Sequence, residues 1–300
     1  MNGMLHYEFM RIALVMAVLI GLTAPAVGTF IVQRRLSLLG DGIGHIALTG
    51  IGIGLLTSTS PVLAALVVSV LGAVAIEVLR ARSRSGADVV LALLFYGGLA
   101  GGVILTNANG GGGTSLQSYL FGSITSVTMT DLYVVAGLAA AVLGIVAVFG
   151  RELFLLCQDE EVARAAGLPV RFLGVLIAAT AAVTVVISMR AIGLLLVSAL
   201  MIVPVAAAQQ LARGFRGTML AAMGLGVLSA VSGLAGSFKY DLPPGPTIVL
   251  LALALFVAAV AGGSVARRRR ARAGTAGDGV PAAGPGAQTR VDAEAEVLGG

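Results

Sequence analysis

One cysteine, two histidines and little charge leave this 300-residue chain few routes to chemistry. A lone Cys157 excludes a disulfide framework and any cysteine-rich metal centre. No GxxxxGK[ST] loop occurs, so the polypeptide does not hydrolyse ATP by that route. No HExxH occurs either, and the two histidines lie far apart, which argues against an intramembrane metalloprotease. Charged residues make up 11% of the chain against 58% hydrophobic, and the mean hydropathy is +1.01. That much apolar surface needs a membrane. Uncharged runs of about 20 residues recur along the chain, the length that crosses ~30 Å of hydrocarbon. A secretory signal would supply one such run.

The expected fold is therefore all-α, a polytopic transmembrane helical bundle of about 8–9 spans. The candidate spans lie near 9–31, 37–56, 61–80, 89–106, 130–149, 172–189, 191–211, 218–237 and 246–265. Pro25 interrupts the first, and Pro204 predicts a kink in the seventh. The stretch Ser118–Thr128 is too short to span and reads as re-entrant or interfacial. Residues 1–265 form the membrane domain, and 266–300 a basic tail too poor in apolar residues to bury a core, hence disordered.

The net charge of +5 does not point to nucleic acid. With the Arg34–Arg35 loop placed in the cytoplasm and the sides alternating, all but three of the 19 Lys and Arg residues fall on that side. The three exceptions are Arg11, Arg190 and Lys239. The C-terminus is then cytoplasmic, and the RRRRAR run at its start anchors on anionic head groups.

Against this apolar background, Asp41 and His45 stand out. They are one helical turn apart in RRLSLLGDGIGHIALTG, so both project from one face. If the span starts near Leu36, His45 is about 14 Å deep, close to the midplane. A charge at that depth costs roughly 2.5–3.5 kcal/mol or more. Three readings are open: a mutually hydrogen-bonded pair, a proton relay, or a metal site. Imidazole and carboxylate suit Zn²⁺ or Mn²⁺ and not soft Cu(I). Two ligands are half of a zinc shell, so a symmetry mate, waters or carbonyls must complete it. Gly40 and Gly44 flank the pair, allowing close helix approach or local distortion.

A second distinctive segment is RELFLLCQDEEVARAAGLPVRF. Asp159, Glu160 and Glu161 favour a helix start, and Gly167 and Pro169 end it. A short capped helix on the cytoplasmic side is a docking element for a partner. Asp241, in SFKYDLPPGP, lies on the outer face, where it shapes a turn or meets an arriving ion.

Four segments together resemble the permease subunits of ATP-binding-cassette importers for zinc, manganese and iron. They are RRLSLLGDGIGHIALTG, QDEEVARAAGLPV, AIGLLLVSALMIVPVAAAQQLAR and SFKYDLPPGPTIVL. The resemblance runs from the first span to about Val265 and is nearest to the zinc-type members. It implies a homodimer in the bacterial plasma membrane, with no permanently bound cofactor. A separate ATPase subunit would use ATP, and an extracytoplasmic metal-binding protein would deliver the ion. Asp41 and His45 would be transport-path ligands for Zn²⁺, or alternatively for Mn²⁺ or Fe²⁺. Residues 151–171 would form the coupling segment, with Asp159, Glu160, Glu161, Ala163 and Gly167 in it. An ion-gradient-driven metal transporter is the competing class.

Overall fold

Apolar runs buried in hydrocarbon must satisfy their backbone groups internally, and the chain does so as helices. The structure, a computed structural model, describes residues 7–82, 87–108, 119–122 and 128–275. Ten helices are assigned: α1 Glu8–Gln33, α2 Leu39–Leu56, α3 Pro61–Arg82, α4 Ala87–Ala108, α5 Met129–Gln158, α6 Glu160–Ala165, α7 Val170–Ile192, α8 Leu194–Leu211, α9 Phe215–Tyr240 and α10 Pro244–Thr275. No strand occurs among the described residues. Among the described residues, eight helices are long and apolar enough to cross a membrane; α6 is too short, and the apolar part of α8, Leu196–Leu211, falls below that length.

Burial divides the bundle. About 70% of the apolar windows of α1, α2 and α7 is buried (72%, 67% and 72%), against 22–33% for α3, α4, α5, α9 and α10. The first three form the core, and the others present apolar flanks outward, as lipid-facing helices do. The helix carrying Asp41 and His45 is thus central. Its neighbours are α3, α4, α7 and α8.

Several boundaries differ from expectation. Pro25 does not interrupt α1, which runs unbroken through it. Its carbonyl accepts a 2.8 Å hydrogen bond from Thr29 Oγ1. Pro204, where a kink is expected, lies inside α8. The α5 helix starts with a capping box between Thr128 and Asp131 and has 30 residues, about 45 Å, well beyond a ~30 Å core. Residues 151–158, expected as loop, are its last two turns. The connection is therefore shorter than the 151–171 segment expected. Cys157, expected between spans, is buried there, its Sγ 3.6 Å from the carbonyl of Phe30.

The turn between α7 and α8 is a single residue, Gly193, with φ 95° and ψ 148°, a region reserved for glycine. A Cβ there would collide with the Leu120–Gly122 backbone. Of the stretch 118–128, only 119–122 and Thr128 are described, and 119–121 form a helical turn. Two compact units are distinguished, Met1–Val260 and Ala261–Gly300. In the second, helix α10 continues to Thr275, past the expected boundary at 265. Residues 276–300 of the expected tail lie outside the described residues.

Candidate functional site

Glycine decides how α2 is surrounded. A Cβ on Gly40 or Gly44 would meet Ser198 Oγ at 2.8 Å and Leu194 Cδ1 at 3.3 Å, both on α8. On Gly50 or Gly54 it would meet Ala65 Cα at 2.6 Å and Pro61 Cα at 2.7 Å on α3. On Gly42 or Gly52 it would meet Leu91 Cδ1 and Leu105 Cβ of α4, each at 2.7 Å. The small residues let three helices approach closely, as in other membrane bundles. Gly40 and Gly44 thus serve packing against α8 within an unbroken helix.

What those neighbours leave uncovered is a strip. Of residues 39–54, only Asp41, His45, Thr49 and Ile53 are not buried. They recur every four residues, so they lie along one edge of the helix. That edge runs beside α4. The His45 ring meets Phe95 edge-on at 4.2 Å between centroids. Thr49 Oγ1 donates to the carbonyl of Gly98 at 2.7 Å. Gly98 itself has no room for a side chain, since a Cβ would lie 2.8 Å from the His45 carbonyl carbon. Sequence reasoning missed Thr49 and Phe95. The i, i+4, i+8 spacing would have found Thr49; no local signal marks Phe95.

Asp41 and His45 do not satisfy one another. No ion pair within 4.0 Å joins them. The Nδ1 of His45 is buried without a hydrogen-bond partner. An unpaired buried imidazole nitrogen is uncommon and needs a reason. The mutually hydrogen-bonded pair is therefore not the arrangement adopted. No group of three or more His, Cys, Asp or Glu that could hold a metal exists among the described residues. His45 is the seventh of 18 residues in α2, about 9 Å from its start and nearer the Arg34 end of the helix than its other end.

That end gathers charge. Glu77 on α3 takes a bidentate pair from Arg80, with Nε–Oε2 at 2.9 Å and Nη2–Oε1 at 2.7 Å. Arg34, between α1 and α2, lies 3.6 Å from Glu77 and 3.8 Å from Glu160 of α6. Glu160 also pairs with Arg164 at 3.1 Å. The α6 helix is capped at both ends. Asp159 Oδ1 accepts from the Glu161 and Val162 amides at 2.8 and 3.1 Å. At the other end Gly167, at φ 79°, donates to Arg164, and Leu168 to Ala163, closing a Schellman motif. Asp159, Glu160 and Glu161 face outward, whereas Ala163 is fully buried and seats the helix. Asp241 is far along the chain from both clusters. It is exposed, adopts the left-handed conformation at φ 52°, and caps α9 through its amide to Ser237, so it shapes a turn.

A bundle with eight described helices long and apolar enough to cross a membrane, one short capped helix between two of them and charge gathered at one end has the build of a polytopic membrane protein. The profile of the ABC 3 transport family matches residues 6–263, and the chain belongs to that family. It is 34% identical to the manganese transport system membrane protein MntC of Halalkalibacterium halodurans, over 86% of this chain and 88% of that protein. It is 29% identical to the manganese import system permease protein ScaB of Streptococcus gordonii, over 85% and 92%. The solved structure of PsaBC from Streptococcus pneumoniae in complex with Fab aligns with a TM-score of 0.79 at 30% identity, covering 86% of this chain and 93% of that one. The chain is thus a permease subunit of a metal importer of the ATP-binding-cassette class, a transport component and not an enzyme, whose ATP hydrolysis falls to a separate subunit. The zinc leaning is not supported, since these relatives are named for manganese. The reason is chemical: one imidazole and one carboxylate serve either ion, so their spacing does not discriminate.

Proposed function

We propose that this permease carries Mn²⁺ inward, with Asp41 and His45 as ligands on the transport path. The observation that carries the reading is the open strip on α2. A carboxylate and an imidazole with an unpaired nitrogen lie along an edge of a helix that is otherwise buried. An isolated protomer would expose this pair to hydrocarbon at considerable cost. A second copy across a two-fold axis covers it and doubles the ligands to two Asp and two His. Manganese accepts such mixed oxygen and nitrogen sets together with water, and an incomplete shell lets the ion leave. The names of the relatives favour manganese over zinc.

The partners follow from the same reading. An extracytoplasmic metal-binding protein delivers the ion. An ATPase subunit docks on α6, where Asp159, Glu160 and Glu161 are exposed, and drives alternation between outward- and inward-facing states. The location is the bacterial plasma membrane, with α6 and the C-terminus cytoplasmic. The test is uptake into proteoliposomes holding the complete complex, with Mn²⁺ and Zn²⁺ in competition. Mn²⁺ is expected to be the preferred cargo. His45→Ala and Asp41→Asn are each expected to abolish uptake while leaving assembly with the ATPase intact. Normal uptake by both variants removes the site assignment, and uptake that persists without the ATPase removes the energy source.

A further inference from the structure

Arg34 occupies an unusual position. It caps the C-terminus of α1, and the chain then reverses through Arg35 in the left-handed conformation at φ 58°. The Leu36 amide donates back to Ile31 at 3.0 Å, and Leu39 to Leu36 at 2.9 Å as α2 begins. Only this tight turn separates Arg34 from the helix that carries Asp41. The guanidinium is buried, with 6% of the side chain exposed, and stands between two acids. The two acids differ in kind.

Glu77 is fixed. Its side chain is 10% exposed, Arg80 clamps both its oxygens, and its carboxylate fills the notch left by Gly174 on α7. Glu160 is the looser partner. It is 44% exposed, belongs to the six-residue α6, and is shared with Arg164. A cavity of about 370 Å³ opens between Glu77, Arg80, Glu160 and Arg164 and leaves α6 room to shift. The contacts of Arg34 are ionic at 3.6 and 3.8 Å, and its Nη1 makes no hydrogen bond. Such a joint can tighten or release when one acid moves. Stability alone does not explain it, because burying ion pairs commonly gains nothing over apolar packing.

We infer that Arg34 is a positioning residue for coupling: a charge bridge Glu77–Arg34–Glu160 passes displacement of α6 to the α1–α2 turn and hence to Asp41 and His45. The inference rests on the reading of α6 as the dock of the ATPase. Its test uses the complete complex in proteoliposomes, with metal uptake and ATP hydrolysis measured together. Arg34→Gln is expected to lower metal moved per ATP about tenfold, within the range of residues that carry coupling. Basal hydrolysis should stay within about twofold, and Arg34→Lys should restore part of the loss. Glu160→Gln, which removes the acid at the α6 end of the bridge, should lower the same ratio. The double variant should be no worse than the stronger single one, since both remove one bridge. A wild-type ratio in Arg34→Gln, or additive losses in the double variant, overturns the inference. Crosslinking to the ATPase from the Ala166→Cys variant separates the two ideas. Absence of a crosslink refutes the dock and the inference with it, whereas a crosslink with a wild-type ratio in Arg34→Gln refutes the bridge alone.

Discussion

Gly97 and Gly98 are adjacent on α4 and should respond oppositely to one added methyl group. At Gly98 a Cβ would lie 2.8 Å from both the His45 carbonyl carbon and the Ile46 amide nitrogen, and 2.9 Å from the His45 oxygen. These are backbone atoms of α2, which cannot rotate away. Ordinary contact begins near 3.4 Å, so the two helices must part by about 0.6 Å at the level of the imidazole. Overpacking of this kind costs typically 1–3 kcal/mol. The 2.7 Å bond from Thr49 to the Gly98 carbonyl stretches with it, a loss of roughly 0.6–1 kcal/mol. Alanine returns about 0.5–1 kcal/mol of helix propensity. The net expectation for Gly98→Ala is a destabilisation of about 0.6–3.5 kcal/mol, centred near 2. The Phe95 edge also withdraws from His45, so metal uptake should fall. At Gly97 nothing lies within 4 Å of the added Cβ, and Gly97→Ala should gain the propensity term alone, about 0.5–1 kcal/mol. Thermal melting of the purified permease, with uptake measured on the same preparations, reads both. Should Gly98→Ala melt at or above Gly97→Ala and transport normally, the close contact between α2 and α4 at His45 is wrong.

Two further substitutions probe local structure away from the strip. Asp159→Ala removes the cap of a six-residue helix, worth about 1 kcal/mol, so amide exchange over Glu160–Ala165 should accelerate several-fold and metal-stimulated ATP hydrolysis should drop; unchanged exchange contradicts the capping assignment. Arg35→Gly relieves a left-handed arginine at the C′ position of a Schellman motif and should stabilise the permease by about 0.5–1 kcal/mol in melting experiments, while a lower melting temperature would mean that the Arg35 side chain contributes more than its backbone costs.

Helix number and position were legible because hydrophobic length is a strong signal, and every expected span has a helix over it. The Asp41–His45 pair was legible because polar groups are rare in such runs. The end caps of α6 could be read from Asp159 and Gly167, where the local chemistry is decisive. The start of α2 was not legible, because it depends on how α1 ends. The Schellman turn with Arg35 in place of glycine gives no sequence cue, and it moves the start of α2 from Leu36 to Leu39. The loop at 151–158 was misread because a helix that outruns the bilayer looks the same in sequence as a span followed by a connector. Glu77 and Arg80 are three residues apart on one helix. That pairing is local, but Arg34 is 43 positions from Glu77, and only the packing of α1, α3 and α6 brings them together. Metal preference was beyond reach for a different reason: one carboxylate and one imidazole lie within the chemistry of several ions.

The glycines of α2 explain why the pair is placed where it is. Six glycines at 40, 42, 44, 50, 52 and 54 bring α8, α4 and α3 against the helix backbone. A helix enclosed this closely has little freedom to rotate, so the direction of its remaining edge is fixed by its neighbours. Side chains on that edge are pre-positioned without being hydrogen-bonded to one another, which leaves their ligand atoms free. A site meant to hold an ion permanently would gain from more ligands within the chain. A site meant to pass an ion on gains from few ligands held rigidly, because the missing ones can be supplied and withdrawn as the surroundings move. The unpaired Nδ1 of His45, the unbridged Asp41 and the rigid glycine-packed helix beneath them fit the second design. On that reasoning, bulkier residues at Gly50 or Gly54, roughly 1.4 to 3.6 turns from His45 and Asp41, should weaken transport by turning the edge, even though they touch neither side chain.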